Sequence, residues 1–197
     1  MNDVTLRPVR FTDDVAGTRA YFEQQGLAAR VVAVGGGWVD LVAGGGGMLA
    51  LHDAASSSTE QPSGRTTLSA ECQDAEALAE RLREAGFDDA TVYDEGYGRV
   101  LVVTDPDGGL VQVDERQDDL HGYHHLDVSG ADPAVSVRVV LDSPDVARYR
   151  AFLEALGLAA AVELHEQEPQ DVRATAPDGR PRRPAVVRLQ LSARPRP

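Results

Sequence analysis

Asp14 to Ala29 reads DVAGTRAYFEQQGLAA, and Asp145 to Ala160 reads DVARYRAFLEALGLAA; ten of these sixteen positions are identical at a constant offset of 131. A third stretch, DAEALAERLREAGF, begins at Asp74, 60 residues after the first. In each copy an Asp stands twelve residues before a Gly: Asp14 and Gly26, Asp74 and Gly86, Asp145 and Gly157. Self-similarity at fixed offsets marks a repeated structural unit. Apolar or half-apolar residues recur within each copy at i, i+3 and i+7: Val15, Thr18 and Phe22; Ala75, Leu78 and Leu82; Val146, Tyr149 and Leu153. That period places one buried stripe along a helix. The Asp can accept hydrogen bonds from first-turn amides, and the Gly suits a left-handed C-terminal cap. Three helices are expected, each bounded by its Asp and its Gly.

Strand-like runs flank every helix. VTLRPVRF, RTTLSAEC and VSVRVVLD come before the three helices. RVVAV, WVDLV and MLALH follow the first, ATVYD, RVLVV and LVQVD the second, and AAVEL, DVRAT and AVVRLQL the third. The last two strands of each copy are joined by AGGGG, by DPDGG and by a longer loop beginning APDG. Pro-Asp-Gly is a turn signal because Pro presets φ and Gly supplies a positive φ. The unit is β-α-β-β-β, used three times, and the expected fold class is α+β. Residues 1–115 form the first domain, with modules at 4–55 and 65–115 joined by the Ser-rich stretch 56–64. A polar linker follows over 116–133, then a third β-α-β-β-β module over 134–197.

The chain of 197 residues has room for one or two domains with a buried core. Apolar residues make up 42%, no 18-residue apolar run exists, and the N-terminus lacks a basic stretch followed by an apolar one. The single cysteine, Cys72, excludes an intrachain disulfide and a multi-cysteine metal site. These features predict a cytoplasmic protein with no membrane partner. Nineteen basic against thirty-two acidic residues give −13, a surface that repels phosphate backbones and argues against nucleic acid. All nineteen basic residues are arginine. Without lysine, a Walker-type phosphate loop and Schiff-base chemistry are excluded. The glycine runs 35–37 and 44–47 therefore read as turns, not nucleotide cradles.

The repeated unit, the segment YGRVLVV, the segment DPDGGLVQVDE from Asp105 to Glu115, and FTDDVAGTRAYFEQQGL near the start resemble the vicinal-oxygen-chelate superfamily. That group includes glyoxalases, bleomycin-binding resistance proteins and extradiol dioxygenases. The resemblance covers Val4 to about Glu115, and Val135 to Ser192 through the internal repeat. It implies that two modules pair into a cup enclosing a cavity, with the third left as a half-unit. In the enzymes of the group the cavity holds a divalent metal on His and Glu or Gln side chains from first and last strands. The matching positions here are Arg7, Thr67 and Arg138 in one column and Ala50, Gln112 and Gln190 in the other. Neither column holds a His or a carboxylate. A guanidinium has no acceptor to offer a cation, and two glutamines with Thr and Arg do not make a transition-metal site. The expectation is no metal and no cofactor. The resemblance then implies sequestration of a small organic molecule, as in bleomycin-resistance proteins and their antibiotic-resistance role. The alternatives are a lyase, isomerase or dioxygenase-type enzyme with a non-standard site, and a degenerate cup used only for association.

The candidate ligand-binding residues are Arg7, Trp38, His52, Thr67, Tyr97, Arg99 and Gln112; no catalytic residue is assigned. Trp38, the only tryptophan, suits a stacking platform or a core position equally. His52 shares a strand face with Ala50 and reads as a residue of the cup rim. Tyr97 and Arg99 open the strand leading to the DPDG turn, where an aromatic ring and a guanidinium suit an apolar ligand with an anionic part. Glu71 reads as an exposed strand-end carboxylate, and HGYHH, residues 121–125, as an exposed connector. His165 reads as a solvated edge residue, and Cys72 as a small packing residue. A lone third module with unpaired strand edges is expected to form a homodimer, with Arg138 and Gln190 near the contact.

Overall fold

The computed structural model describes residues 4–117, 121–167 and 185–193. Strands β1 (Thr5–Leu6) and β2 (Val9–Thr12) precede helix α1 (Val15–Gln24), and β3 (Leu27–Ala33), β4 (Trp38–Ala43) and β5 (Met48–Asp53) follow it. β6 (Thr66–Thr67) and β7 (Ser69–Cys72) precede α2 (Ala75–Glu84), which β8 (Thr91–Glu95), β9 (Gly98–Thr104) and β10 (Leu110–Glu115) follow. After β11 (Tyr123–His125) come β12 (Val135–Ser143), α3 (Val146–Leu156), β13 (Val162–Glu166) and β14 (Val186–Ala193). The expected strand DVRAT and the loop beginning APDG lie outside the described residues.

All three helices start and stop where the spacing places them. Asp14, Asp74 and Asp145 accept hydrogen bonds from the backbone N–H groups of Gly17, Ala77 and Arg148. Each such cap contributes about 1 kcal/mol. Gly26, Gly86 and Gly157 adopt φ of 96°, 90° and 81°, the left-handed region that ends a helix at low cost in glycine. The first strands of modules one and two are each interrupted, at Arg7–Pro8 and at Leu68. Proline has no N–H for a ladder, although the Pro8 carbonyl still accepts from Ala50 N at 2.8 Å.

The described residues fall into two compact units, one within 1–5, 70–116 and 139–188, the other within 6–69, 117–138 and 189–197. The second unit holds a six-stranded sheet ordered β11-β3-β4-β5-β2-β6. β2 runs parallel to β5, and the other neighbours are antiparallel. One face packs Leu27, Val39, Leu41, Leu49 and Leu51 against Val15 and Phe22 of α1, with Val135 and Val137 added from β12. Strand alternation sends Trp38, Asp40, Ala50 and His52 to the opposite face. The segment expected to be a linker therefore contains a strand: β11 pairs with the free edge of β3 and satisfies backbone groups there.

In the first unit a five-stranded sheet is ordered β1-β7-β10-β9-β8. Helix α2 buries Ala75, Leu78, Ala79 and Leu82, each leucine contributing about 2 kcal/mol. Helix α3 buries Tyr149, Phe152, Leu153 and Leu156. Phe152 meets Phe87 edge-on at 4.9 Å, and Arg81 Nη2 donates to the Leu156 carbonyl at 2.9 Å. A cation at a helix C-terminus also opposes the negative end of its dipole. A three-stranded sheet is ordered β13-β12-β14, with β13 parallel to β12. The third copy thus keeps its helix and caps, but its first strand β12 pairs directly with β13, the strand after its helix, whereas in the first copy the first strand β2 pairs with the last one, β5, and not with β3. Among the described residues no helix is long and apolar enough to cross a membrane.

Candidate functional site

Asp40 lies in the middle of β4 and is 1% exposed. A buried carboxylate requires partners. Arg7 Nη1 and Arg30 Nη2 donate to its Oδ2 at 3.3 and 2.7 Å, and Trp38 Nε1 donates to its Oδ1 at 3.0 Å. Arg7, itself 5% exposed, also stacks over the Trp38 ring, with Cζ 5.0 Å from the centroid. Such a cation–π contact strengthens as it is desolvated. The β3–β4 register shifts between Ala29 and Val31, and Arg30 is the residue at the shift. A bulge re-aims a side chain in this way.

His52 stands opposite Trp38 in the β4–β5 ladder, and their rings meet edge-on at 5.4 Å. Phe11 flanks the imidazole at 5.5 Å. His52 Nδ1 lies 2.7 Å from the Asp53 carbonyl oxygen. A carbonyl only accepts, so Nδ1 carries the proton and Nε2 of the neutral ring is an acceptor. Thr67 pairs with Val9, which pairs with Ala50, so Thr67 joins the same face. From β11, Tyr123 senses both Arg7 and Asp40; burial pushes its phenol pKa up, and the Arg7 charge opposes this.

Four of the expected ligand residues, Arg7, Trp38, His52 and Thr67, are therefore brought to one sheet face. The other three lie in the first unit. Gln112 pairs with Val102, whereas Arg99 lies on the opposite face of that sheet. There Arg99 donates to Glu115 Oε1 at 2.6 Å, and Glu115 Oε2 accepts from Ala75 N at the start of α2. Tyr97 occupies the exposed turn between β8 and β9. The sequence reading missed Asp40, Arg30, Phe11 and Tyr123. Asp40 carried a signal, since a carboxylate between Val39 and Leu41 in WVDLV needs a counter-charge once buried. Arg30 carried none, because nothing in the local pattern marks the register shift.

Glu71 is not an exposed strand-end residue: it is 6% exposed, with Arg116 Nε 3.9 Å away. Its strand β7 is an interior strand of the sheet, between β1 and β10. His124 and His125 of HGYHH pair with Val32 and Val31 on β11, with exposed side chains. His165 is exposed, with Nε2 2.7 Å from Glu163. Cys72 is buried; burial and then the Glu115 charge push its thiol up to about 11, so it packs as a neutral thiol.

The DPDG turn makes its own buried cluster. Asp105 Oδ1 accepts from Asp107 N and Gly109 N, and its Oδ2 accepts from the Tyr149 hydroxyl at 2.9 Å. Asp107 is 8% exposed, and among the described residues its Oδ2 has no hydrogen-bond partner. Burial, then the charges of Asp105 and Asp145, push the Asp107 carboxyl up to about 6, against a Ser143 hydrogen bond and the Arg148 charge.

The resemblance implies a divalent metal, and the residues at the matching positions do not fit one. Ala50 is fully buried and has no donor, and Arg7 brings a positive charge already bonded to Asp40. Among the described residues no three His, Cys, Asp or Glu side chains gather in an arrangement able to hold an ion.

No family model and no curated protein matches the chain. Solved structures do. A triple mutant of 4-hydroxymandelate synthase from Streptomyces coelicolor matches at a TM-score of 0.56 and 14% identity, over 79% of this chain and 53% of its own. A variant of homoprotocatechuate 2,3-dioxygenase from B. fuscum matches at 0.50 and 17% identity, over 79% of this chain and 45% of its own. The chain thus spans about half the length of each. A glyoxalase/bleomycin resistance protein/dioxygenase superfamily member from Vibrio splendidus matches at 0.42 and 18% identity, over 58% of this chain and 100% of its own. The fold is α+β of the vicinal-oxygen-chelate type, as the first two matches and the β-α-β-β-β modules establish. At these identities the likeness extends to fold alone.

Proposed function

We propose that the protein binds a small planar organic molecule, without a metal ion, on the sheet face that carries Trp38 and His52. The role is sequestration, of the kind performed by bleomycin-resistance-type proteins. One observation supports it above the others. The half-buried indole of Trp38 is fixed at its Nε1–H by Asp40 and braced edge-on by His52, whose Nε2 is an acceptor. A rigid aromatic surface with a few oriented polar atoms is the usual make-up of a small-molecule site.

Trp38 is the only tryptophan, so intrinsic fluorescence reports on this face directly. Metal-depleted protein titrated with a panel of aromatic small molecules should show saturable quenching and a raised melting temperature with at least one of them. A response that requires an added divalent ion, or none across the panel, overturns the reading. So does elemental analysis that finds one ion per chain, lost on Gln112→Ala.

The fixed tautomer of His52 favours a second reading, a metal-free lyase or isomerase in which Nε2 takes a proton from the ligand. There, His52→Gln abolishes turnover and leaves Trp38 quenching intact. Homodimer formation through residues 134–197 belongs to the same proposal, supported by β13 and β14 being the outer strands of their sheet. Light scattering that gives the chain mass of 21.0 kDa at micromolar concentration overturns it.

A further inference from the structure

In the second unit, the turn between β4 and β5 seats the start of β12 on its own backbone. Gly45 N donates to the Val135 carbonyl at 2.7 Å, and Val137 N donates to the Gly46 carbonyl at 2.9 Å. No side chain would fit at this seam: a Cβ on Gly44 would lie 2.6 Å from Ala131 O, and one on Gly45 2.5 Å from Val135 O. Glycine permits this close approach of two backbones. Beside the seam lies a cavity of about 290 Å³, lined among others by Gly45, Gly46, Pro133, Ser136, Arg138 and Ser192.

The polar lining is one-sided. Ser136 Oγ lies 2.9 Å from Ser192 Oγ and 3.5 Å from the Ser192 carbonyl oxygen; when Ser136 donates along the shorter contact, to the Ser192 hydroxyl, the Ser192 proton is left for a third group. Arg138 stands two residues after Ser136, on the same side of β12. It is exposed, and among the described residues it makes no hydrogen bond or ion pair. No Asp or Glu is among the described lining residues, although the chain carries thirty-two acidic groups and a net charge of −13. A guanidinium has five N–H donors and no acceptor, so the complementary group is a negatively charged acceptor. The volume sits at the lower limit of small-molecule sites. It has room for one anionic group on a short carbon skeleton.

We propose that the cavity between the 44–47 turn and the start of β12 binds a small oxyanion, held by the Arg138 guanidinium and a hydroxyl of the Ser136–Ser192 pair. The site is separate from the Trp38 face and does not depend on its occupant.

Two probes separate the sources of such a group: inorganic phosphate and acetate. Each is titrated into isotope-labelled protein at constant ionic strength, with chloride as the control, and backbone amide shifts are followed. At least one probe should shift Gly45, Gly46, Ser136, Val137 and Arg138 saturably in the millimolar range, and chloride should not. The responding probe identifies the anion as phosphate-like or carboxylate-like. Arg138→Gln removes an exposed side chain, so the fold should survive, and it should weaken binding by roughly tenfold or more. Ser192→Ala should weaken it several-fold. Non-saturating shifts with both probes, shifts equal to those with chloride, or unchanged affinity in Arg138→Gln each overturn the proposal.

Discussion

Replacing Asp107 by Asn should stabilise the protein at neutral pH. In the folded chain the Asp107 carboxyl is held at about 6, against 3.8 for the free group, mainly because it is buried. Asp105 and Asp145 add to the rise, and Oδ2 has no hydrogen-bond partner among the described residues. A carboxyl whose folded pKa is raised favours the neutral form in the folded state. Its burden on stability is absent below about pH 4, grows as pH rises towards 6, and is complete above that. At 1.36 kcal/mol per pH unit, the upper limit of that burden is about 3 kcal/mol. Asn keeps an oxygen for the Ser143 hydroxyl and offers N–H groups to the neighbouring carboxylates. For a chain of this length the gain corresponds to a rise in melting temperature on the order of 5–10 °C at pH 7.5. Differential scanning calorimetry of both proteins from pH 4 to 8 measures it. Their difference should shrink towards zero near pH 4, because the protonated wild-type carboxyl then matches the amide. A variant no more stable at pH 7.5, or a gain independent of pH, would refute burial of an ionised Asp107 as the cause.

Other perturbations test separate parts of the structure. Asp40→Ala leaves the Arg7 and Arg30 guanidinium groups without their shared acceptor and should cost about 3–5 kcal/mol in urea unfolding, with a red shift of Trp38 emission; a cost below 1 kcal/mol would show that the cluster is not buried. Gly47→Ala places a Cβ against the Val137 carbonyl at a φ of 86° and should lower the melting temperature far more than Gly36→Ala, whose φ is 76° but which has open space around it. Equal losses would mean that the seam between the turn and β12 does not form. Cys72 should resist a thiol reagent at pH 8 in the native protein and react fully in guanidinium, since its folded thiol is raised to about 11.

The sequence by itself determined the helices and the unit they belong to. Asp14, Asp74 and Asp145 act on amides three residues away, and Gly26, Gly86 and Gly157 act through their own φ, so each signal is complete within one turn of chain. Alternation within β5 likewise placed His52 on the face of Ala50, because the strand period is local, whereas the β4–β5 register was needed to bring Trp38 to that face. The tertiary structure decided what required chain pairing. Arg30 reaches Asp40 through a shift in the β3–β4 register, and Tyr123 comes under the charges of Arg7 and Asp40 because β11 adds to the edge of β3. Glu71 is buried because β7 has neighbours on both sides, and Arg99 turns away from Gln112 to bond Glu115. Each of these depends on which strands lie side by side and in what register. That choice is made by the whole buried surface, and no short window of sequence contains it.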